Sequence, residues 1–305
     1  MDIPLFKIIL IETLNICTRK CWFCKFGQER QDGTRSEMDW PTIDRILENL
    51  RDLDYRGRIS WFWINEPLMD KRLPEILKLT KSRCPRAFVS LVTNGDLLSQ
   101  TRYEVLRQNG LDALGVSIYD DETHAKIRPL RRHGVVMLDM RGPGPVWLEN
   151  RAGSVKQHAA FFENDKKRFL RRSCDRPFTG LTINARGQAV LCCSDMYSDV
   201  AMGDVKEQRL EEIWRGERFN QYRRRLEESG RKGLKLCEDC SYSGKGYSIY
   251  YPLPRLSRYI KMTGDRMLGV WRRGLLNRAS KNFTLMTLFF YSIVSQCDFL
   301  IFAAA

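Results

Sequence analysis

With 43% hydrophobic residues over a length of 305, the chain has the apolar side chains to fill a sizeable core, which excludes a disordered or low-complexity protein. Ten cysteines, with no basic and apolar leader at Met1-Asp2-Ile3-Pro4, fit a cytoplasmic chain whose thiols serve metal or redox chemistry rather than disulfides. The net charge of +14 would suit nucleic acid, anionic lipid or an acidic substrate, but much of the basicity sits in residues 251–305, so it says little about the core, and no nucleic-acid partner is expected.

A strand-like run at residues 6–12 (FKIILIE) leads into Cys17-Thr-Arg-Lys-Cys21-Trp-Phe-Cys24. Intervals of three and two residues let one compact loop aim three thiols at a single point, which suits an iron-sulfur cluster and leaves zinc as the alternative. Three ligands on a four-iron cube would leave one iron open to a non-protein group. Beyond the loop, Met38-Asp-Trp-Pro-Thr42 starts a helix, with Ile43, Ile46, Leu47, Leu50 and Leu53 at helical spacing. A strand at 58–64, a helix at 73–79 and a strand at 87–92 follow, and the unit repeats as a helix at 101–108 and strands at 113–118 and 135–140.

Strands alternating with helices predict parallel strands joined by right-handed crossovers, in an open or closed βα barrel. Reactive groups in such a fold gather at the carboxyl ends of the strands, here the Cys loop, Asn65-Glu66-Pro67, Thr93-Asn94-Gly95 and Ser117. The interval 119–134 has room for one short helix, so the barrel is expected to be abridged, and His124 within it reads as a surface or loop residue. Asn150-Arg151, following the apolar Val146-Trp147-Leu148, is either a turn with a solvated Arg or an Arg that faces the cavity and grips hydroxyls.

Cys174 follows a basic, helix-like stretch at 166–172. Strands at 181–184 and 188–191 around Ala185-Arg186-Gly187 form a hairpin that delivers Cys192, and an amphipathic helix over about 210–226 precedes Cys237-Glu-Asp-Cys240. Cys174, Cys192, Cys237 and Cys240 make a four-thiolate set, for which spacing alone favours zinc over iron-sulfur. Cys84 and Cys193 read as packing residues. In the tail, Leu256, Ile260, Met267, Trp271 and Leu275 form one helical stripe among basic residues. Residues 283–305 are mostly apolar but too rich in Thr, Ser and Gln for a good span. Packing on the protein or a partner is the first expectation for the tail, and contact with a membrane surface the second.

The C-x3-C-x2-C loop, with Phe23 before its last Cys, resembles the radical S-adenosylmethionine (SAM) superfamily. The C-x12-G-x4-C pattern followed by C-x2-C resembles the SPASM and twitch extensions of that superfamily. Together with Asn65-Glu66-Pro67 and Asn150-Arg151, the resemblance runs over roughly residues 6–245. It implies a SAM-binding 4Fe-4S cluster on Cys17, Cys21 and Cys24, and an auxiliary 4Fe-4S cluster on Cys174, Cys192, Cys237 and Cys240. Asn65 and Glu66 stand where the family's Gly-Gly-Glu-Pro segment meets the SAM ammonium, with Asn65 replacing the second Gly. Asn94 and Ser117 are placed by position for the SAM carboxylate or ribose. Arg151 matches an Arg that contacts substrate in the alcohol-oxidising twitch members.

The expected fold is therefore α/β: an abridged partial (βα)6 barrel over residues 1–160, a small twitch or SPASM-like α+β extension over 161–250, and a helical tail over 251–305. The expected reaction is a two-electron oxidation of a sugar-like or aminocyclitol alcohol, with Arg151 positioning the hydroxyl and a flavodoxin or ferredoxin as electron donor. Peptide modification and sugar epimerisation are the rival enzyme readings. A zinc-bearing, RNA-binding module is the rival from another class.

Overall fold

A computed structural model describes residues 3–27, 35–141, 149–156 and 159–244, with the side chains of 159–161 excepted. Val146-Trp147-Leu148, Cys297 and the tail at 251–305 lie outside the described residues.

The first half of the chain alternates as its apolar pattern predicts. β1 (Ile8–Ile11), β2 (Arg58–Ser60), β3 (Phe88–Thr93), β4 (Ala113–Ile118) and β5 (Val136–Asp139) are separated by α1 (Trp40–Asp52), α2 (Leu73–Arg83), α3 (Gln100–Gln108) and α4 (Asp121–Ile127). α4 is the short helix for which the interval before β5 has room, and it contains His124. After α5 (Ala159–Phe169) and α6 (Arg176–Thr179) come β6 (Gly180–Ile183), β7 (Gln188–Val190), β8 (Ala201–Asp204), α7 (Leu210–Arg215) and α8 (Glu217–Glu228).

All eight strands share one sheet in the order β5-β4-β3-β2-β1-β6-β7-β8. Pairings from β5 through β6 are parallel, whereas β7 and β8 add antiparallel strands. The hairpin expected to start a separate extension thus begins with a strand in register with β1, Leu10 opposite Thr182. That pairing joins the hairpin that carries Cys192 to the strand that leads into the first cysteine set.

Side chains divide between the two faces of the sheet with a period of two. Ile9, Ile11, Ile59, Val89, Leu91, Leu114 and Val116 are fully buried in the main core with the apolar faces of the helices. In α1 these are Ile43, Ile46, Leu47 and Leu50, and its start is fixed by Asp39, whose side chain accepts from Thr42 N–H at 2.9 Å. The opposite face of the sheet carries small polar residues. One cross-strand row reads Thr182, Leu10, Ser60, Ser90, Ala113. Ser60 Oγ and Ser90 Oγ lie 2.8 Å apart, and Arg58 Nε donates to Ser90 Oγ at 2.5 Å.

Several element boundaries differ from the sequence reading for physical reasons. The strand expected over 58–64 ends at Ser60, and beyond it Trp63 N–H donates to Asn65 Oδ1 at 3.1 Å. The helix expected over about 210–226 is two helices broken at Gly216, whose backbone is extended (φ −66°, ψ 161°). A Cβ there would lie 2.8 Å from the Glu212 carbonyl oxygen, so the break favours Gly. Among the described residues no helix is long and apolar enough to cross a membrane.

Candidate active site

The loop after β1 folds on itself, with Cys24 N–H donating to Cys21 O at 3.0 Å and Gly27 N–H to Cys24 O at 2.9 Å. Cys17, Cys21 and Cys24 come close enough for their charges to interact. Gly27 is essential to this turn, because a Cβ would sit 2.2 Å from Cys21 O and 2.7 Å from Lys20 O, both backbone atoms that cannot swing aside. Gly27→Ala is therefore expected to displace the loop and lower the iron bound at these three thiols, as read by iron and sulfide analysis of the anaerobically purified chain.

Arg19 fastens the loop to the ends of two strands. Its guanidinium donates to Asp96 (Nε–Oδ1 2.9 Å, Nη2–Oδ1 2.5 Å) and to Thr123 Oγ1 at 3.0 Å, and pairs with Asp120 at 2.7 Å. Thr18 Oγ adds a bond to Asp96 at 2.7 Å. Both carboxylates hold the Arg19 guanidinium firmly protonated, and Asp120, helped first by the Thr123 amide, is pushed down to about 2.

The strand-end residues cluster around this loop. Asn94 Nδ2 donates to Thr18 Oγ1 at 2.8 Å and approaches Cys17 Sγ at 3.7 Å. Glu66 is buried and already engaged: its carboxylate accepts from Thr93 Oγ–H (2.6 Å), Leu68 N–H (3.0 Å) and Asn94 N–H (2.8 Å). Burial raises the Glu66 carboxyl against those bonds. Asn65 is different. Its Oδ1 is used by Trp63, but its buried Nδ2 has no hydrogen-bond partner among the described residues, a donor poised for a bound group. Ser117 bonds to the Tyr119 side chain, and the Tyr119 ring packs against Phe23 with centroids 5.9 Å apart.

The second set also converges. Cys174, Cys237 and Cys240 interact with one another, and Cys192 with Cys174 and Cys237. Cys193 adjoins Cys192, and its carbonyl accepts from Trp63 Nε1 at 2.9 Å, while Cys84 is buried in the main core. Buried Arg231 closes the later cysteine loop by donating to Tyr242 O at 2.5 Å, with longer contacts to Cys240 O and Ser173 O.

Both sets are suited to iron-sulfur clusters by the chemistry of their surroundings. Burial pushes Cys17 and Cys21 up to about 11 and Cys174 and Cys237 up to about 12, and it raises Cys24, Cys192 and Cys240 as well. Burial thus disfavours the bare thiolates, and a bound cation, which needs thiolate ligands, offsets that cost. Backbone amides are aimed at the sulfurs two residues upstream: Arg19 N–H to Cys17 at 3.4 Å, and likewise Phe26 to Cys24, Arg176 to Cys174 and Tyr242 to Cys240. Such bonds stabilise sulfur-borne negative charge. Among the described residues, no three His, Cys, Asp or Glu side chains close to the spacing of a single metal ion.

Residues 11–135 match the radical SAM superfamily, and residues 174–241 match the SPASM iron-sulfur cluster-binding domain. The chain belongs to the radical SAM superfamily. This radical SAM chain is 28% identical over 243 residues to the S-adenosyl-L-methionine-dependent 2-deoxy-scyllo-inosamine dehydrogenase of Niallia circulans, a match covering 78% of this chain and 93% of that one. A crystal structure of BtrN in complex with AdoMet and 2-DOIA superposes with a TM-score of 0.71 at 27% identity, covering 82% of this chain and 98% of BtrN. Selenomethionine BtrN in an open conformation gives 0.61, also at 27% identity, over 81% and 100% of the two chains. The chain is thus a radical SAM enzyme whose cofactors are 4Fe-4S clusters and SAM. The zinc-bearing RNA-binding reading is set aside by the same matches.

Arg151 lies between the two thiol groups. Asn150 holds the later cysteine loop through both ends of its amide: Nδ2 to Asp239 O at 2.6 Å, and Ser241 N–H to Oδ1 at 2.9 Å. The next three residues are all left-handed, Arg151 (φ 47°), Ala152 (φ 52°) and Gly153 (φ 81°), and Gly153 packs where a Cβ would meet Asp239 Cβ at 2.6 Å. This tight turn brings the Arg151 guanidinium within electrostatic reach of Cys24 and Tyr119 on the first side, and 3.9 Å from Glu149 on the second. Asp96, Arg19, Glu149, Arg176 and Arg231 were not legible as site residues. Only the Asp that follows Thr93-Asn94-Gly95 at a strand end offered a sequence signal.

Proposed function

We propose that this chain oxidises a secondary alcohol on a small polar substrate of the sugar or aminocyclitol class. The observation that carries the reading is Arg151, held on a strained turn between the two cysteine sets. There a guanidinium can hold a substrate hydroxyl so that the adjacent carbon faces one set and the departing electron the other. The polar sheet face, with Ser60, Ser90 and Thr182, supports a hydrophilic occupant. Likeness to a 2-deoxy-scyllo-inosamine dehydrogenase supports the substrate class.

In this reading Cys17, Cys21 and Cys24 hold the SAM-binding cluster, and Cys174, Cys192, Cys237 and Cys240 hold the auxiliary one. Phe23, Asn65, Glu66, Asn94 and Ser117 surround SAM: Asn65 Nδ2 supplies a free donor, and Glu66 keeps the strand ends in place with its carboxylate. When bound, the first cluster and SAM supply a 5'-deoxyadenosyl radical that takes a hydrogen atom, and the second cluster supplies an acceptor for the remaining electron as the hydroxyl proton departs. Residues 1–160 and 161–250 form the two functional regions along one sheet, and a flavodoxin or ferredoxin provides electrons.

The test is turnover with candidate cyclitols and sugars deuterated at single carbinol carbons, under strict anaerobiosis. Deuterium in 5'-deoxyadenosine, with one ketone formed per SAM consumed, is the expected result. Turnover without net SAM consumption, or return of an epimer instead of a ketone, would refute the oxidation.

A further inference from the structure

Beside the later cysteines lies a charged pair that the proposed reaction does not use. Arg176, the first residue of α6, sits two positions after Cys174. Its guanidinium grips Glu149 in a fork, Nη1 to Oε1 and Nη2 to Oε2 both at 2.9 Å. Nη1 also donates to Ser194 Oγ at 2.5 Å, and Ser194 donates in turn to Glu149. The guanidinium carbon stacks 3.7 Å from the centroid of the Tyr242 ring. Both side chains are largely buried, with 21% of Arg176 and 16% of Glu149 exposed.

This pair lies within electrostatic reach of the later sulfurs, and Arg176 follows Cys174 by two residues. Arg176 interacts with Cys174, Cys192, Cys193 and Cys240, and Glu149 with Cys240. The Glu149 carboxylate also lies 3.9 Å from the Arg151 guanidinium, so the pair adjoins the residue proposed to hold substrate. For a structural salt bridge this position is costly, since both ions lose water and an apolar pair of like volume would do as well. A cluster that gains one negative charge on reduction makes such a position useful. In a poorly solvated site, a lone cation beside it favours the reduced form and a lone anion the oxidised form, while a matched pair leaves the balance between them.

We propose that the Glu149–Arg176 pair sets the reduction potential of the auxiliary cluster, each member offsetting the other. Both act as positioning and tuning residues and neither touches substrate. The inference rests on the reading that Cys174, Cys192, Cys237 and Cys240 ligate that cluster.

The experiment uses the full chain carrying Cys17→Ala, Cys21→Ala and Cys24→Ala, so that the auxiliary cluster alone contributes to the spectrum, with electron paramagnetic resonance followed against applied potential. Glu149→Gln keeps the shape and leaves Arg176 uncompensated. It is expected to raise the ratio of reduced to oxidised cluster at a fixed potential at least tenfold, about 59 mV for a one-electron couple. Arg176→Gln is expected to lower that ratio by a similar factor, and Arg176→Lys, which keeps the charge, to stay near the parent. Should Arg176→Gln lose iron, Glu149→Gln and Arg176→Lys decide. Shifts of the same sign in the two Gln variants, or no shift in Glu149→Gln with its iron intact, would overturn the proposal. A parent that binds no iron would instead refute the ligand assignment, and the proposal with it.

Discussion

Replacing Cys24 by Ala yields a chain that forms no detectable 5'-deoxyadenosine yet keeps one of its two clusters. Cys24 is the last thiol of a loop with only three, and neither Cys84, in the core, nor Cys193, beside Cys192, can substitute for it. Losing a partner that merely supports a metal ligand costs on the order of 10- to 100-fold in affinity or activity, and losing a ligand from a site that must keep one iron open costs more. The second set stands on other elements, between α5 and α6, after β7 and beyond α8, so its thiols do not depend on this loop. Iron should fall from about eight to about four atoms per chain, with matching sulfide, while SAM cleavage drops below detection by chromatography. Unchanged iron, or cleavage at the parent rate, would show that these thiols do not hold the SAM cluster. Cys240→Ala is the natural converse: cleavage continues and ketone does not form.

What could be read from the sequence was local. The intervals between Cys17, Cys21 and Cys24 fix the ligand loop because consecutive residues cannot move far apart. The alternation in ALGVSI fixes the two faces of β4, with Leu114, Val116 and Ile118 buried and Ser117 on the other face. Gly187 at the hairpin turn has φ 89°, a conformation that Gly adopts without penalty. What escaped was set by distant partners or by near-ties. Arg176 and Glu149 are 27 residues apart and become a pair only because β6 returns beside β1. The sequence of α7 and α8 keeps one apolar face across Gly216, so periodicity alone runs through the break. The four residues of β8 include a Gly and match β7 only with a register shift, too little pattern to recognise. Asn150-Arg151 was visible as a dipeptide, but the left-handed turn that aims it depends on Asp239 and Ser241.

Arg151→Lys separates substrate handling from SAM chemistry. The substitution keeps a positive charge but replaces a planar fork of donors with a single ammonium, which cannot hold a hydroxyl and its neighbour at once. A hydrogen bond to a charged group is worth about 1.5–3 kcal/mol, so kcat/KM for ketone formation should fall roughly 10- to 150-fold. The cysteines and strand ends proposed to surround SAM are unchanged in sequence, so 5'-deoxyadenosine should continue to form and outnumber ketone. A structural role for Arg151 would predict otherwise, and Arg151→Gly distinguishes the two. At φ 47° an L residue carries a backbone penalty that Gly avoids, so the Gly variant should be as stable as the parent, or more stable by about 1 kcal/mol, in a denaturant titration, while forming no ketone. Strain kept at a residue whose removal would stabilise the fold is what a positioned functional group looks like. A Gly variant that unfolds easily, or a Lys variant in which ketone and 5'-deoxyadenosine decline together, would place Arg151 in the scaffold rather than at the substrate.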